Sequence, residues 1–284
     1  MLVAENESAT PSGAGFGDLD FEKVGERTVL RKVFARNPLR LLTPRNLGAA
    51  AWVYSSSYGG GLVGGDHLDI RLRVRSKAMA VILSQSTTKI YRSPLGCSQS
   101  INGHVEEQGF LAMIPDPVSC FSGSSFAQKQ NYRLDDGASL LLVDTLNCGR
   151  SAAGERWLFD RFQSQIRVSR REQPIFFESL LLDSRAGNLA RRNGRFNTHC
   201  LFMMTGPALL GPGAAILETL AATRVSARAD LVCSASRLSD GLRDSESMMV
   251  RMAAVSTEEL ARALRGYLDF LPGLLGDDPW ARKW

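Results

Sequence analysis

Five glycines between residues 59 and 65 carry the clearest chemical motif of the sequence. Gly59, Gly61 and Gly64 match the pattern G-x-G-x-x-G, in which glycines allow backbone amides to approach a phosphate. That chemistry also requires a helix directly after the motif, because the amides of its first turn bind the pyrophosphate. The next residues, GDHLDIRLRVR, alternate apolar and polar side chains and predict a strand. We therefore favour a tight turn between strands, with a nucleotide site as the alternative.

Asp66 follows this turn directly, and the residues leave two roles open for it. A carboxylate at the entry of a strand can cap the turn by accepting a hydrogen bond from the backbone. A carboxylate facing an internal polar path can instead hold a hard or borderline cation for a short time.

Lys89 and Arg92 flank Tyr91 at the end of a strand-like run, in the segment STTKIYRS. Exposed arginine and tyrosine are enriched at protein interfaces, so the three residues are candidates for a cationic contact with a partner. In the alternative, Tyr91 packs and the two cations are solvated, and the sequence does not separate the two.

The remaining residues do not indicate a tight metal site or a hydrolase. His67, His104 and His199 are the only histidines, and they form no HxH or HExxH motif. The segments GCSQS and FSGSS lack the setting of a nucleophilic serine. Cys148 beside Arg150 could be a reactive thiol, but a small buried side chain is the favoured interpretation.

An arginine cluster at Arg191, Arg192 and Arg195 lies in the segment RAGNLARRNGRFN, which we expect to be an exposed loop. Such a cluster could bind RNA. No RNA-binding aromatic pattern accompanies it, so a solvated loop is favoured.

Short apolar or alternating runs separated by turn residues occupy most of the chain and predict strands. The gaps between them are too short for crossover helices, which excludes a βαβ rhythm, and we see no convincing sequence repeat. The predicted strands include residues 68–74, 78–88, 109–116, 138–146, 162–170, 174–182, 199–204, 230–238 and 247–255.

Helices are expected mainly after about residue 206. Residues 214–224 can form a short helix, and residues 255–273 form a better one. Ser256 and Glu259 make a capping box for the second helix. Leucines then recur at helical spacing until Pro272 and Gly273, which we expect to end the helix.

Bulk composition is that of a folded protein of one domain. The 284 residues are 44% hydrophobic and carry a net charge of +5. Five widely spaced cysteines without a CxxC motif argue against a disulfide framework and favour a reducing compartment. No secretory signal or long apolar segment is visible, so we expect a cytoplasmic protein. Residues 1–17 are predicted to be a flexible tail and residues 18–284 a single β-rich domain.

Several motifs, taken in order, resemble those of the urease accessory protein UreD family, also called UreH. They are GGGLVGGDHL, STTKIYRS, IPDPVSCF with FAQKQ, NCGRSAAGERW and the terminal RKW. Their order and spacing together are specific. The resemblance runs from about Asn37 to the C-terminus, is loose between Pro174 and Asp230, and does not include the N-terminal tail.

The resemblance implies a mainly β fold, with β-helix-like stacked sheets of short strands and a few helices towards the C-terminus. It implies that the chain is not an enzyme and binds no cofactor tightly. Its partners would be apo-urease and a UreF-type accessory protein, which recruits the UreG-type GTPase. No contact with nucleic acid or membrane is implied. In this family, an internal tunnel is the proposed route by which nickel in transit reaches urease.

The resemblance also assigns residues. Asp66 and Glu178 would lie on the nickel path. Other matched positions would bind partners or maintain the structure, namely Gly64, Gly65, Lys89, Tyr91, Arg92, Asp116, Arg150 and Glu155. The favoured hypothesis is a scaffold and metallochaperone subunit that conducts nickel into urease. The alternatives are a nucleotide-dependent enzyme that uses the glycine-rich loop and an RNA-binding protein that uses the loop from Arg191 to Arg195.

Overall fold

The computed structural model describes residues 14–45, 47–238 and 247–281. The terminal RKW motif and the predicted tail up to residue 13 lie outside these residues. The strands are β1 (Gly15–Val24), β2 (Arg27–Arg36), β3 (Leu39–Leu42), β4 (Ala51–Ser57), β5 (Gly61–Leu62), β6 (His67–Val74), β7 (Met79–Ser84), β8 (Thr88–Ile90), β9 (Cys97–Val105), β10 (Phe110–Met113), β11 (Val118–Cys120), β12 (Ser125–Leu134), β13 (Ser139–Asn147), β14 (Arg161–Arg170), β15 (Gln173–Asp183), β16 (Thr198–Thr205), β17 (Leu231–Leu238) and β18 (Ser247–Ala254).

These strands form two stacked sheets, which confirms the predicted fold class. The seven-stranded sheet has the order β15-β14-β12-β9-β6-β1-β2, and its five central strands are parallel. The eleven-stranded sheet has the main order β17-β18-β16-β13-β10-β7-β4-β3, with β5, β8 and β11 beside it. Its strands β4, β7, β10 and β13 are also parallel.

The chain passes from one sheet to the other and back, so that successive coils stack as in a β-helix. The parallel pairing therefore needs no helical crossover, because a strand of the second sheet makes each return. Met79 pairs with Phe110 and Phe110 with Ser139, a step of about 30 residues that falls among the periods of solenoid repeats. The coils repeat in backbone register without repeating in sequence.

One stacked turn connects the sheets in each coil. Lys77, Gln108 and Gly137 occupy equivalent places and all have positive φ, at 63°, 57° and 65°. This left-handed conformation is unstrained only for glycine, and the first two coils use other residues in it. The lack of a common residue at this position is one reason why the repeat is hard to see in the sequence.

The first strand begins inside the segment predicted to be a tail. β1 starts at Gly15, and both Gly15 and Gly17 lie in it. A Cβ at Gly15 would lie 2.6 Å from the side chain of Leu68, and one at Gly17 would lie 2.6 Å from that of Leu39. These glycines permit close packing of neighbouring strands, and the tail boundary at residue 17 was wrong for that reason.

Two apolar cores hold the layers together. The first lies between the two sheets and includes Phe21, Leu72 and Leu111. The second lies between the eleven-stranded sheet and the C-terminal helices and includes Trp52 and Phe202. The second core explains why the sheet faces of β13 and β16 are apolar on both sides, since each face packs against another layer.

The helices are α1 (Leu189–Asn193), α2 (Leu210–Ala222), α3 (Thr257–Tyr267) and α4 (Leu271–Leu275). The predicted cap of α3 is confirmed, because Ser256 Oγ accepts a hydrogen bond from the Glu259 amide at 3.1 Å. Pro272 does not simply end the helix as predicted but lies in the first turn of α4, where proline is tolerated. The predicted exposed loop at residues 185–197 likewise contains α1, which Asn188 caps.

Candidate functional site

A row of polar side chains crosses the inner face of the seven-stranded sheet, where apolar residues would be expected. Gln99 on β9 pairs in register with Gln128 on β12, and Gln128 pairs with Ser164 on β14. Strand pairing therefore places their side chains next to one another in the space between the sheets. Gln128 and Ser164 are buried.

Asp144 faces this row from β13 of the opposite sheet. Its carboxylate accepts hydrogen bonds from Gln128 Nε2 at 2.8 and 3.0 Å and from Ser164 Oγ at 3.0 Å. Burial raises the pKa of Asp144, the two hydrogen-bond donors lower it, and the charge of Glu178 raises it further. Asp144 is not among the residues predicted from the sequence, where its signal is a carboxylate within the apolar run ASLLLVDTL.

Asp144 is shared by two cavities. The middle cavity, about 50 Å³ in volume, lies between the sheets and also contacts Asp116 and Gln130. The larger cavity has about 250 Å³ and is lined mostly by apolar side chains such as Leu180 and Leu182. About one water-sized sphere, roughly 10–15 Å³, is the minimum for a cavity to hold a water, so both have room for solvent.

The larger cavity opens beside an ion pair that joins the two sheets. Arg251 Nη2 on β18 lies 2.5 Å from Glu178 Oε2 on β15. His199 and Asn193 also line this mouth, and His199 Nε2 lies 2.6 Å from Asn193 Oδ1. Burial lowers the pKa of His199, which keeps its ring neutral near pH 7.

The opposite end of the middle cavity adjoins a third cavity of about 40 Å³. The two share Ser55, Thr88 and Gln99 as lining residues. The third cavity reaches the surface at Gly60 and Ser86, which are both exposed.

The three adjoining cavities, which we call the inter-sheet path, follow one another through shared lining residues. The path offers carboxylate, amide, hydroxyl and imidazole groups at separate points. Among the described residues, no three His, Cys, Asp or Glu side chains come together as a metal site. Spaced oxygen donors of this kind suit brief, successive contacts with a hydrated divalent cation.

Comparison with known proteins assigns the chain to a family. The family model for the UreD urease accessory protein matches residues 13–284 of the sequence. The chain belongs to the UreD family. It is 48% identical to the urease accessory protein UreD of Sorangium cellulosum over 95% of this chain and 85% of the relative.

More distant relatives also cover this UreD-family chain over most of its length. UreD of Anaeromyxobacter is 36% identical over 95% of this chain and 89% of the relative. Urease accessory protein D of rice, Oryza sativa subsp. japonica, is 30% identical over 98% of both chains. The family resemblance seen in the motifs is therefore confirmed, and the chain is a urease accessory protein.

The glycine motif of this UreD-family chain forms turns between strands. Gly65 has a φ of 91°, and β6 begins at His67 where a phosphate loop would require a helix. Gly61 is needed for close approach, since a Cβ there would lie 2.6 Å from the Lys89 carbonyl oxygen. Gly65 thus has a backbone conformation that favours glycine, whereas a Cβ at Gly64 would meet only ordinary contacts, the nearest at 3.5 Å.

Asp66 lies in this turn rather than on the inter-sheet path. Its Oδ2 accepts a hydrogen bond from the Val63 amide at 2.8 Å, and its own amide donates to the Val63 carbonyl. The residues that line the three cavities do not include Asp66. Glu178, the second predicted path residue, does line the large cavity.

Four of the other predicted residues meet in one open surface cleft, which Tyr91, Arg92, Arg150 and Glu155 line. Tyr91 packs edge-to-face on Phe121, with ring centroids 5.4 Å apart, and the Arg150 guanidinium lies 4.7 Å from the Phe121 ring centre. Arg150 also pairs with Glu155, which accepts from the Ser122 amide at 3.3 Å. The cleft therefore joins three loops at one edge of the sheets.

Lys89 and Asp116 lie apart from this cleft lining. Lys89 is exposed on β8. The Asp116 carboxylate accepts from Ser84 Oγ at 3.2 Å, and the Asp116 amide donates to the same oxygen at 2.7 Å. Asp116 thus fixes the end of β7 and contributes to the lining of the middle cavity.

The histidines are dispersed and all five cysteines are free thiols. His67 Nδ1 lies 2.7 Å from Ser98 Oγ, and His104 Nε2 lies 2.9 Å from Asp135 Oδ2, both on the outer face of the seven-stranded sheet. Cys148 is 2% exposed and belongs to the inter-sheet core, as favoured from the sequence. Among the described residues, no helix has the length and apolar character needed to cross a membrane.

Proposed function

We propose that this UreD-family chain acts as a non-enzymatic scaffold in urease maturation and passes nickel along the inter-sheet path. The observation that supports this most directly is the position of Asp144, a half-buried carboxylate between the sheets that lines two adjoining cavities. A carboxylate there is costly to bury, since removing it from water disfavours its charged form. Contact with a passing cation would stabilise the charged carboxylate and would account for its position between the sheets.

Nickel is a borderline cation that takes oxygen and imidazole nitrogen ligands. A closed cage of such ligands would hold the ion, whereas a conduit must release it. The separate positions of Asp116, Asp144 and Glu178 along the path offer successive contacts of this weaker kind.

The partners follow from the family. We infer that the chain binds apo-urease and a UreF-type accessory protein in the cytoplasm, and through the latter a UreG-type GTPase. GTP would then be used by the GTPase, in agreement with a glycine motif that forms strand turns. The chain itself would bind no nucleotide and hold no cofactor permanently.

The path is tested by co-expressing urease and its accessory proteins with path variants at limiting nickel. Asp144→Asn nearly keeps the side-chain shape and removes the charge, while Thr88→Leu adds bulk where two cavities meet. Both variants should retain their partners in pull-down but yield urease with less bound nickel and less activity. Metal content by mass spectrometry is the deciding measurement.

Thr198→Val is a matched control. Thr198 is a buried residue that donates to the Leu146 carbonyl at 3.2 Å, and it lies outside the three cavity linings. Nickel loading should survive this change. Normal nickel content with both Asp144→Asn and Thr88→Leu would rule out the inter-sheet path, whereas loss of partners would show that these positions act through the fold.

A further inference from the structure

Basic side chains lie on the helix that reaches the mouth of the large cavity. Helix α1 ends at Asn193, which lines the mouth, and the same helix carries the exposed Arg191 and Arg192. Neither guanidinium makes a hydrogen bond or ion pair within the described residues. Arg251 lies at the mouth itself, where it pairs with Glu178.

A second basic segment adjoins α1. Arg195 Nη1 donates to the Arg228 carbonyl at 2.9 Å, and Arg195 also donates to the Ala229 carbonyl. The exposed Arg228 is thereby held beside the α1 loop. Asp230, an acidic residue of the same segment, already faces Arg195, with Oδ1 and Nη1 3.8 Å apart. We call Arg191, Arg192 and Arg228 the basic rim.

This charge is unfavourable for a cation that crosses the mouth alone. Fixed arginines repel a divalent cation, and the effect extends about one Debye length, roughly 8 Å at physiological ionic strength. Carboxylates of a docked protein would neutralise the rim and remove that barrier. Docking and cation passage would then be coupled by simple electrostatics.

We propose that the basic rim docks an acidic protein surface over the mouth of the large cavity. The charge complements carboxylates, and the apolar lining around Leu180, Leu182 and Leu201 suits an apolar side chain of the same partner. This lining is the reason to favour a protein over RNA, since a phosphate backbone gains nothing from three leucines. The proposal rests on the scaffold function above for the choice of partners to test.

The test is a double charge reversal, Arg191→Glu with Arg192→Glu, in the full chain. The changes should not disturb folding, because Asn188 caps α1 at the Arg191 amide and glutamate is favourable in a first helical turn. Association with purified apo-urease and with the purified UreF-type protein is measured separately by biolayer interferometry. With one of them, association should slow about tenfold at low salt and approach the wild-type rate near 0.5 M salt.

Lys23→Glu with Lys129→Glu is the matched control. Both lysines are exposed on the seven-stranded sheet, and Lys129 lies on its outer face, away from the cavity. This variant changes the net charge equally and should bind like wild type. A fluorescent single-stranded RNA is the competing probe.

Equal slowing by both double variants would overturn the proposal, since it would reflect net charge alone. Unchanged binding of both proteins by the rim variant would also overturn it and leave the scaffold function intact. Loss of RNA binding with unchanged protein binding would assign the rim to nucleic acid instead. If the wild-type chain bound neither protein, the scaffold function and the docking surface would both be rejected.

Discussion

At the scale of single residues, Asp66 tests whether a turn carboxylate acts through its shape or its charge. Asparagine can accept the same hydrogen bond from the Val63 amide, so Asp66→Asn should unfold like wild type. Asp66→Ala removes the acceptor and should lower the free energy of unfolding by about 1 kcal/mol, as loss of a cap does. Urea unfolding of the two variants measures this.

Asp66→Asn also tests the sequence-based hypothesis that Asp66 serves nickel transport. That hypothesis stays a prediction. Because Asp66 lies outside the cavity linings, urease co-expressed with Asp66→Asn should contain normal nickel. A nickel deficit with intact partner binding would instead give the carboxylate charge a role in transport.

Asp144 should reveal its raised pKa in the pH dependence of stability. The folded state holds the Asp144 proton more tightly than the unfolded state, so this stabilisation is complete below the ordinary pKa of 3.8. It is lost as the pH rises through the raised folded-state pKa. Asp144→Asn cannot titrate and should gain stability relative to wild type from about pH 4 towards neutrality.

Thermal unfolding of both proteins across this pH range measures the effect without nickel or partners. A difference in melting temperature that does not change with pH would contradict it. Asp183 lies in the opposite situation, because Arg185 lowers its pKa to about 2, so the stability of wild type over Asp183→Asn should be complete above about pH 4 and should be lost as the pH falls towards 2.

At the scale of elements, the stacked coil turns depend on backbone conformation. Gly137 has a φ of 65°, and a Cβ there would lie 3.3 Å from the Gln108 side chain in the turn above. Gly137→Ala should therefore lower the free energy of unfolding by about 1–2 kcal/mol. Gly154→Ala is the control for backbone strain alone, since its φ is 78° and no atom lies within 4 Å of the new Cβ.

Chemical denaturation measures the free energy of unfolding of both variants. Gly154→Ala reports the cost of backbone strain alone, and Gly137→Ala reports the cost of strain plus the close contact with Gln108. A Gly137→Ala protein as stable as wild type would show that the turn is not part of the cooperative unit.

Helix α3 provides the second test at this scale. Leu264 is 7% exposed and faces the second core, so Leu264→Ala should cost about 2–5 kcal/mol. Gly266 on the same helix has open space around a new Cβ, and Gly266→Ala should raise the free energy of unfolding by about 0.5–1 kcal/mol. The melting temperature should fall in Leu264→Ala and rise in Gly266→Ala. An unchanged melting temperature for Leu264→Ala would show that this helix face does not contribute to stability.

At the scale of the whole molecule, the fold places no helix where a nucleotide would need one. Strand β6 follows the glycine turns directly, so no set of helix N-terminal amides faces a phosphate there. Isothermal calorimetry of the purified chain with GTP and with NAD should detect no binding. Micromolar affinity for either nucleotide would contradict the scaffold function and support the alternative hypothesis of a nucleotide-dependent enzyme.

The inter-sheet path is also a property of the whole molecule. Gln99, Gln128 and Ser164 come from three coils, and Asp144 comes from the other sheet. Each polar group is costly between two apolar layers unless it is hydrogen-bonded. The direct bonds from Gln128 and Ser164 to Asp144 meet that need and fix the two sheets against each other at the centre of the path.

The sequence by itself determined the local structure. Alternation from Leu68 to Val74 predicted β6, and the capping box at Ser256 and Glu259 predicted the start of α3. It also favoured a turn between strands over a phosphate loop at Gly64, because the next residues predict a strand. These features depend on side-chain period and on neighbours within a few residues, which the sequence displays directly.

Only the tertiary structure decided which distant residues share a site. Asp144 and Gln128 meet across two sheets, and the carboxylate of Asp66, which the sequence singled out, forms a hydrogen bond only three residues away. The step of about 30 residues between coils is set by backbone register, and side chains that differ from coil to coil satisfy it equally well. Register and sheet stacking place the path, and neither leaves a periodic mark in the sequence, because pairing between strands is made by backbone groups that every residue carries.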